Sequence, residues 1–329
     1  MKWADIVGHN TTIQMLRHME SSRHMPHAIL FTGPSGIGKF TVAKTLATAL
    51  LCHALGDRPC GSCQSCLQMS YGTHPDFKVI APDGVTIKIE QIRNLQQEVM
   101  LAPYVSSRRV YIIDGAECMT IQAANSLLKI LEEPVGEVVF ILVSANRQML
   151  LTTILSRCMM LIFQPLTDDV LAGALVNRGF SSAKAQVAAK LSRGRMGAAL
   201  LMLEPDGFAM RDQATKIIDD LLEGNITMVW DTSVILEKMD RKDLLQLLTY
   251  ITYLLRDIVM IVTRQEQSML FNIDIVEQLT RQADRWSEEG LLKALRVVED
   301  TRKALNANAN ARLTSEALLI KIYNLAREV

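Results

Sequence analysis

Gly33-Pro34-Ser35-Gly36-Ile37-Gly38-Lys39-Phe40 follows the apolar run Ala28-Ile29-Leu30-Phe31-Thr32 and precedes residues with helical spacing from Thr41 to Leu51. A Gly-rich turn between a strand and a helix lets successive backbone N–H groups converge on an anion, and Lys39 can reach the same phosphates. Such loops close on Lys followed by Ser or Thr, whose hydroxyl ligates Mg²⁺. Magnesium spreads the charge that builds on phosphates during hydrolysis. Position 40 is phenylalanine, which has no oxygen to offer. Thr41 is next door, but one helical residue turns a side chain by about 100°, away from the phosphate. The eight residues are therefore expected to be able to cradle ATP or ADP and to be poorly equipped to cleave either. A Gly-rich turn with an exposed lysine is the alternative, and the strand-before, helix-after context counts against it.

A second candidate is Asp114, which closes the buried run Arg109-Val110-Tyr111-Ile112-Ile113. An aspartate ending an apolar strand resembles the second element of phosphate-loop ATPases, where it anchors magnesium. In such ATPases a glutamate follows and polarises the attacking water; here the next residue is Gly115. Glu117 lies two residues on, displaced by roughly 6 Å if the strand continues. Catalytic positioning tolerates little error, so Glu117 is a weak substitute. Asp114 capping a turn at the strand end is the plainer alternative.

A third group is Cys52, Cys60, Cys63 and Cys66. Four thiolates close a tetrahedral site, and Cys60-Gly61-Ser62-Cys63-Gln64-Ser65-Cys66 brings three of them from one knuckle. With no open coordination position and no nearby base, the expected ion is structural Zn²⁺. Iron, buried reduced thiols and a redox role are the alternatives. His53 or His74 could replace one cysteine, though four thiols make that unnecessary. Cys118 and Cys158 stand apart and are expected to pack as small apolar residues.

These groups need elements to hold them. Val138 to Ser144 reads as a third buried strand, and Thr120 can N-cap a helix that Pro134 ends. Strands alternating with helices around a Gly-rich loop imply an α/β fold with a parallel sheet covered on both faces. After Phe163-Gln164-Pro165 the pattern turns helical, with starts at Thr167-Asp168-Asp169 and at Ser181 or Ser182, and a stop at Gly194. Glu204-Pro205-Asp206-Gly207 reads as a linker into a third, helical region, whose longest helix should run from about Lys242 to Arg264.

The chain has 329 residues, 49% of them apolar, and 35 basic side chains balance 35 acidic ones. Two or three domains with well-filled cores are expected. A protein that mainly gripped a phosphate backbone would carry a basic excess, so neutrality favours protein partners. The most hydrophobic stretch, Leu244 to Val262, is broken by Arg256 and Asp257, which favours a buried helix over a membrane span. No signal peptide is read at the start. A cytoplasmic protein without membrane contact is the expectation.

Two longer strings carry a resemblance. Met119-Thr120-Ile121-Gln122-Ala123-Ala124-Asn125-Ser126-Leu127-Leu128-Lys129-Ile130-Leu131-Glu132-Glu133-Pro134 and Leu151-Thr152-Thr153-Ile154-Leu155-Ser156-Arg157-Cys158 resemble the AAA+ subunits of the bacterial DNA polymerase III clamp loader. So do the opening Trp3-Ala4-Asp5-Ile6-Val7-Gly8-His9, the cysteine spacing, and Leu305 to Leu313 near the C-terminus. The resemblance spans essentially the whole chain. It implies a RecA-like AAA+ domain over residues 1–165 with a zinc module at about 52–66, a small helical lid over 166–205, and an all-α collar domain over 206–329. Partners implied are the gamma/tau and delta subunits in a heteropentamer, with the sliding clamp and primer-template DNA reached through the complex.

Within the family, the residues resemble the delta-prime branch rather than the ATP-hydrolysing gamma/tau branch. Phe40 and Gly115 remove the magnesium hydroxyl and the water-polarising carboxylate, and no arginine stands at Gly197-Ala198-Ala199, where a second sensor is expected. Arg193 and Arg195 lie just upstream. The chain is also expected to close after its collar, without the long polar extension of tau. The resemblance implies a non-hydrolysing stator whose Arg157 reaches into a neighbour's ATP site. A guanidinium there can be worth about 10³–10⁵ in rate in related NTPases. Alternatives are an arginine merely paired with a carboxylate, an active gamma/tau-type ATPase, and a DNA-binding zinc protein. Few basic residues stand near the cysteines, which counts against the last. Ser144-Ala145-Asn146 falls where a first sensor belongs, and no residue among them is assigned that role.

Overall fold

The computed structural model describes residues 2–327 apart from Arg23, Val135 and Asn225. Asn225 and the last two residues of the expected collar domain, Glu328 and Val329, lie outside the described residues. By contact, the chain divides into two compact units, one of residues 1–174 and 192–198 and the other of 175–191 and 199–329. The expected lid segment thus contributes to both.

In the first unit the expected strands form with the expected bounds: β1 (Ala28–Thr32), β3 (Arg109–Asp114) and β4 (Val138–Ser144). Two four-residue edge strands join them, β2 (Phe77–Ile80) and β5 (Met159–Ile162). The order is β2-β3-β4-β1-β5, with every neighbouring pair parallel. β1 and β4 are buried along their whole length, as strands covered on both faces must be.

The two-residue alternation of a strand builds two cores. Ile29, Phe31, Ile112 and Ile141 pack with α1 (Asn10–Ser21) and α2 (Lys39–Leu51) through Leu16, Val42 and Leu46. Leu30, Ile113 and Leu142 point the other way, onto α4 (Ile89–Val99) and α5 (Ile121–Glu132) through Ile92, Leu95 and Leu127. Burying one such side chain contributes about 1.5–3 kcal/mol. Thr120 N-caps α5, its side chain accepting from the Ala123 N–H at 3.2 Å. The short helices α3 (Gln64–Tyr71) and α6 (Thr152–Leu155) complete this part. Because the sheet is parallel, the carboxyl ends of β1, β3 and β4 share one edge. In the register Thr32 faces Ser144 and Asp114 faces Val143. Open α/β sheets bind ligands at that edge.

Beyond β5 the described residues are helical: α7 (Asp168–Asn177), α8 (Ser182–Ser192), α9 (Met196–Met202), α10 (Ala209–Glu223), α11 (Ile226–Glu237), α12 (Arg241–Val262), α13 (Val276–Ala283), α14 (Glu288–Asn306) and α15 (Ala311–Leu325). In the second unit α12 packs against α10, α13 and α14. It is long and apolar enough to cross a membrane, yet Leu244, Leu247, Leu248, Ile251 and Leu255 are buried in the bundle. Asp257, which interrupts its apolar run, is fully buried. Its carboxylate accepts from the Phe271 and Asn272 N–H groups, the Asn272 side chain and Arg256.

Candidate functional site

The glycines of the loop after β1 sit where only glycine is comfortable. Gly33 has φ +145°, and a Cβ there would run into the Phe163 carbonyl oxygen. Gly36 and Gly38, at +80° and +101°, shape the turn that starts α2 at Lys39. His9 Nε2 donates to the Ile37 carbonyl at 2.9 Å while its ring meets Phe163 edge-on. The Gly197 N–H donates to the Gly36 carbonyl at 2.8 Å, so the position expected to offer a sensor arginine offers a backbone contact.

Lys39 is buried and folded back on its own loop. Its ammonium donates to the carbonyls of Gly33 at 2.6 Å and Pro34 at 2.7 Å. Burial pulls its pKa down, and the carboxylates of Glu117 and Asp114 push it back up. Phe40 is 36% exposed and has no ligand atom. Burial raises the Asp114 pKa, and Glu117 adds to the effect.

The strand carrying Asp114 stops there. Gly115, at φ +69°, turns the chain into a 3-10 turn over Ala116–Cys118. Glu117 is therefore not carried forward along a continuing strand. One oxygen accepts from the Ala145 N–H at 2.9 Å at the end of β4, and the other is buried without a partner among the described residues. Asn146, in the stretch for which no sensor role is assigned, accepts from the Gln148 N–H.

The four cysteines converge. All four sulfurs lie within 4.8 Å of one another, with Cys52–Cys63 at 3.8 Å and Cys60–Cys66 at 3.9 Å. A tetrahedral ion with Zn–S bonds of about 2.3 Å needs sulfurs about 3.8 Å apart, so the donor set fits such a metal. Knuckle amides prepare the thiolates. Cys63 N–H points at Cys60 Sγ and Cys66 N–H at Cys63 Sγ, each at 3.4 Å. Backbone donors from Ser62 and Cys63 hold the Cys60 thiol down to about 5, whereas burial pushes Cys66 up to about 12. These four cysteines can bind a metal such as zinc. Cys158 stands apart in the sheet's second core, its thiol pushed up to about 11 by burial.

His74 is occupied elsewhere, in a network that sequence reasoning missed. The Asp76 N–H donates to His74 Nδ1 at 3.1 Å, so the ring's other nitrogen donates to Ser65 Oγ at 2.7 Å. Ser65 in turn donates to the Leu51 carbonyl at 2.6 Å. This relay ties the knuckle to the end of α2, next to Cys52. Asp76, also buried, accepts from the N–H groups of Tyr104, Val105 and Ser106 at 2.6, 2.9 and 2.8 Å. Its only signal in the sequence was a polar pair flanking Pro75 before a strand too short to be noticed.

Arg157 follows α6. Its guanidinium makes an ion pair with Glu132 at 2.5 Å and donates to the Thr153 carbonyl at 2.9 Å and Ser156 Oγ at 3.2 Å. The carboxylate pairing named as an alternative is thus present. About a third of the Arg157 side chain stays exposed.

A parallel sheet whose first strand runs through a Gly-rich loop into a lysine-led helix defines an α/β domain with an AAA+-like fold. A four-cysteine module and an all-helical second part accompany it. Family models described as "DNA polymerase III, delta subunit" and "DNA polymerase III, delta subunit, C terminal" match residues 8–167 and 225–323. The DNA polymerase III subunit delta' of Bacillus subtilis is 30% identical over 316 residues, covering 94% of each chain. That of Pseudomonas aeruginosa is 42% identical over 139 residues, 40% of this chain and 41% of its own. The tau subunit of Bacillus subtilis is 35% identical over 176 residues, 53% of this chain and 31% of its own. A gamma subunit-related protein of Thermotoga maritima matches at a TM-score of 0.47 with 18% identity, covering 95% and 98% of the two chains. The chain belongs to the delta' subunits of the DNA polymerase III clamp-loader family.

Proposed function

We propose that the chain is the non-hydrolysing stator of its clamp loader and lends Arg157 to a neighbouring ATPase during sliding-clamp loading. The observation that carries this is the state of its own phosphate loop. Lys39 is satisfied by two loop carbonyls, Phe40 has no ligand atom, and Gly115 stands where a catalytic carboxylate belongs. A site in that condition can bind ATP or ADP through Gly33 to Lys39, with Asp114 nearby, but lacks the groups for turnover. Three domains (RecA-like AAA+, lid and collar) would place the chain in a heteropentamer with gamma/tau and delta subunits. That complex acts on the clamp and primer-template DNA in the cytoplasm. Zn²⁺ held by Cys52, Cys60, Cys63 and Cys66 would brace the AAA+ domain.

A second reading, an active ATPase of the gamma/tau type, draws on one observation. The Glu117 carboxylate raises the Lys39 pKa and keeps a buried oxygen without a partner among the described residues. Nucleotide binding and phosphate release by the purified chain with Mg²⁺, beside a Lys39→Ala control, separate the two. No turnover supports the stator; turnover abolished by Lys39→Ala overthrows it. Arg157→Ala should leave assembly of the reconstituted complex intact while lowering its ATPase and clamp loading. Full activity would reject the role of Arg157.

A further inference from the structure

Resting on the reading that Arg157 serves a neighbour's site, we propose that Glu132 is its positioning residue. Glu132 is the last residue of α5, where the helix dipole disfavours a carboxylate. A cation there would be favoured, and Arg157 supplies one from α6 at 2.5 Å. The pair is half in water, with 33% of the arginine and 48% of the glutamate side chain exposed. Its contribution to stability is therefore small. Its geometric effect is larger.

An arginine has five N–H donors. Two are used within the chain, by the Thr153 carbonyl and Ser156 Oγ, and the other Nη stands 2.5 Å from Glu132 as an ion pair. Five minus two leaves three for an anion outside the chain, enough for the two that bidentate phosphate recognition requires. The two internal oxygens beside α6 grip one Nη; Glu132 grips the other and stops the guanidinium from turning about that grip. A long side chain held this way loses little freedom when a phosphate arrives. The contact is an ion pair, so the charge on Glu132 is what holds the guanidinium. Neither glutamine, which keeps the reach and loses the charge, nor alanine should therefore substitute.

The test is steady-state ATPase of the reconstituted complex carrying Glu132→Ala, Glu132→Gln, Arg157→Ala or the Glu132→Ala/Arg157→Ala pair, with the adjacent Glu133→Gln as control. Glu132→Ala is expected to lower kcat about 3- to 10-fold with KM for ATP unchanged, because only orientation at the reacting phosphate is lost. Glu132→Gln should lose as much, Glu133→Gln should stay within twofold of the parent, and the double variant should be no slower than Arg157→Ala alone. If Arg157→Ala lowers the rate while Glu132→Ala leaves it unchanged or raises it, positioning by Glu132 is wrong and the arginine's role survives. A Glu132→Gln variant that keeps the parent rate would also overturn it. If Arg157→Ala has no effect, the underlying reading itself fails.

Discussion

Replacing Asp76 with asparagine should unfasten the 104–106 segment and destabilise the AAA+ unit by about 3 kcal/mol. One carboxylate oxygen takes the Tyr104 N–H and the other takes those of Val105 and Ser106. Hydrogen bonds to a charged acceptor contribute about 1.5–3 kcal/mol each, and a buried donor left unmet costs about 1–3 kcal/mol. Asparagine can keep two of the three bonds, in weaker neutral form, but must then face the third N–H with its own NH2. It also removes the negative charge 3.8 Å from Arg109 Nε, too far for a hydrogen bond but close enough to balance a buried cation. Burial would raise the Asp76 pKa, but the N–H donors of Tyr104, Ser106 and Val105 outweigh it, and His74 helps them hold it below the ordinary 3.8. A depressed folded pKa means that the stabilisation is present above the unfolded value and lost as pH falls through the lower folded one. The gap between parent and Asp76→Asn should therefore be constant near neutrality and shrink below about pH 4. Native-state hydrogen exchange reads this directly. At neutral pH the amides of Tyr104, Val105 and Ser106 should exchange about 100-fold faster in the variant, the equivalent of ~3 kcal/mol. Exchange within threefold of the parent, or a gap that persists unchanged in acid, would refute the reasoning.

The cysteine cluster and the turn after β3 each set a further outcome. One zinc should be found per chain by elemental analysis, and chelation should make four extra thiols titratable while far-UV circular dichroism of the sheet persists. Cys63→Ser, whose hydroxyl can still accept from the Cys66 N–H and cap α3, should abolish that stoichiometry, and an unchanged metal content would exclude the four-cysteine site. Restoring the missing carboxylate by Gly115→Glu should cost about 1–2 kcal/mol of stability, because the position is left-handed. A Cβ there would also sit 3.3 Å from Pro82. Combined with Phe40→Thr it should still release no phosphate, and turnover by the double variant would show that the missing groups alone silence the site.

The central strands were readable because each is apolar on both faces and bounded by turn residues, so β1, β3 and β4 have the bounds that the residues suggest. β2 and β5 were not. They are edge strands of four residues with only part of each buried, a length at which alternation carries no signal. The cysteine spacing was legible because knuckle chemistry is local: a seven-residue run supplies three ligands whatever surrounds it. His74 and Asp76 were not, because their partners lie 9 and about 30 residues away.

By itself the sequence determined the chemistry on offer: a phosphate loop without its hydroxyl, four thiols at ligand spacing, an aspartate followed by glycine, and an arginine inside a family string. Only the tertiary structure decided what each group touches. It folds Lys39 onto the loop's own carbonyls, turns Glu117 off the strand, buries Asp257 among four donors and sets Glu132 against Arg157. Residue type and spacing set what a side chain can donate or accept over a turn or two of chain. Which distant donor meets which acceptor is settled only when the packed sheet and helices bring their ends together.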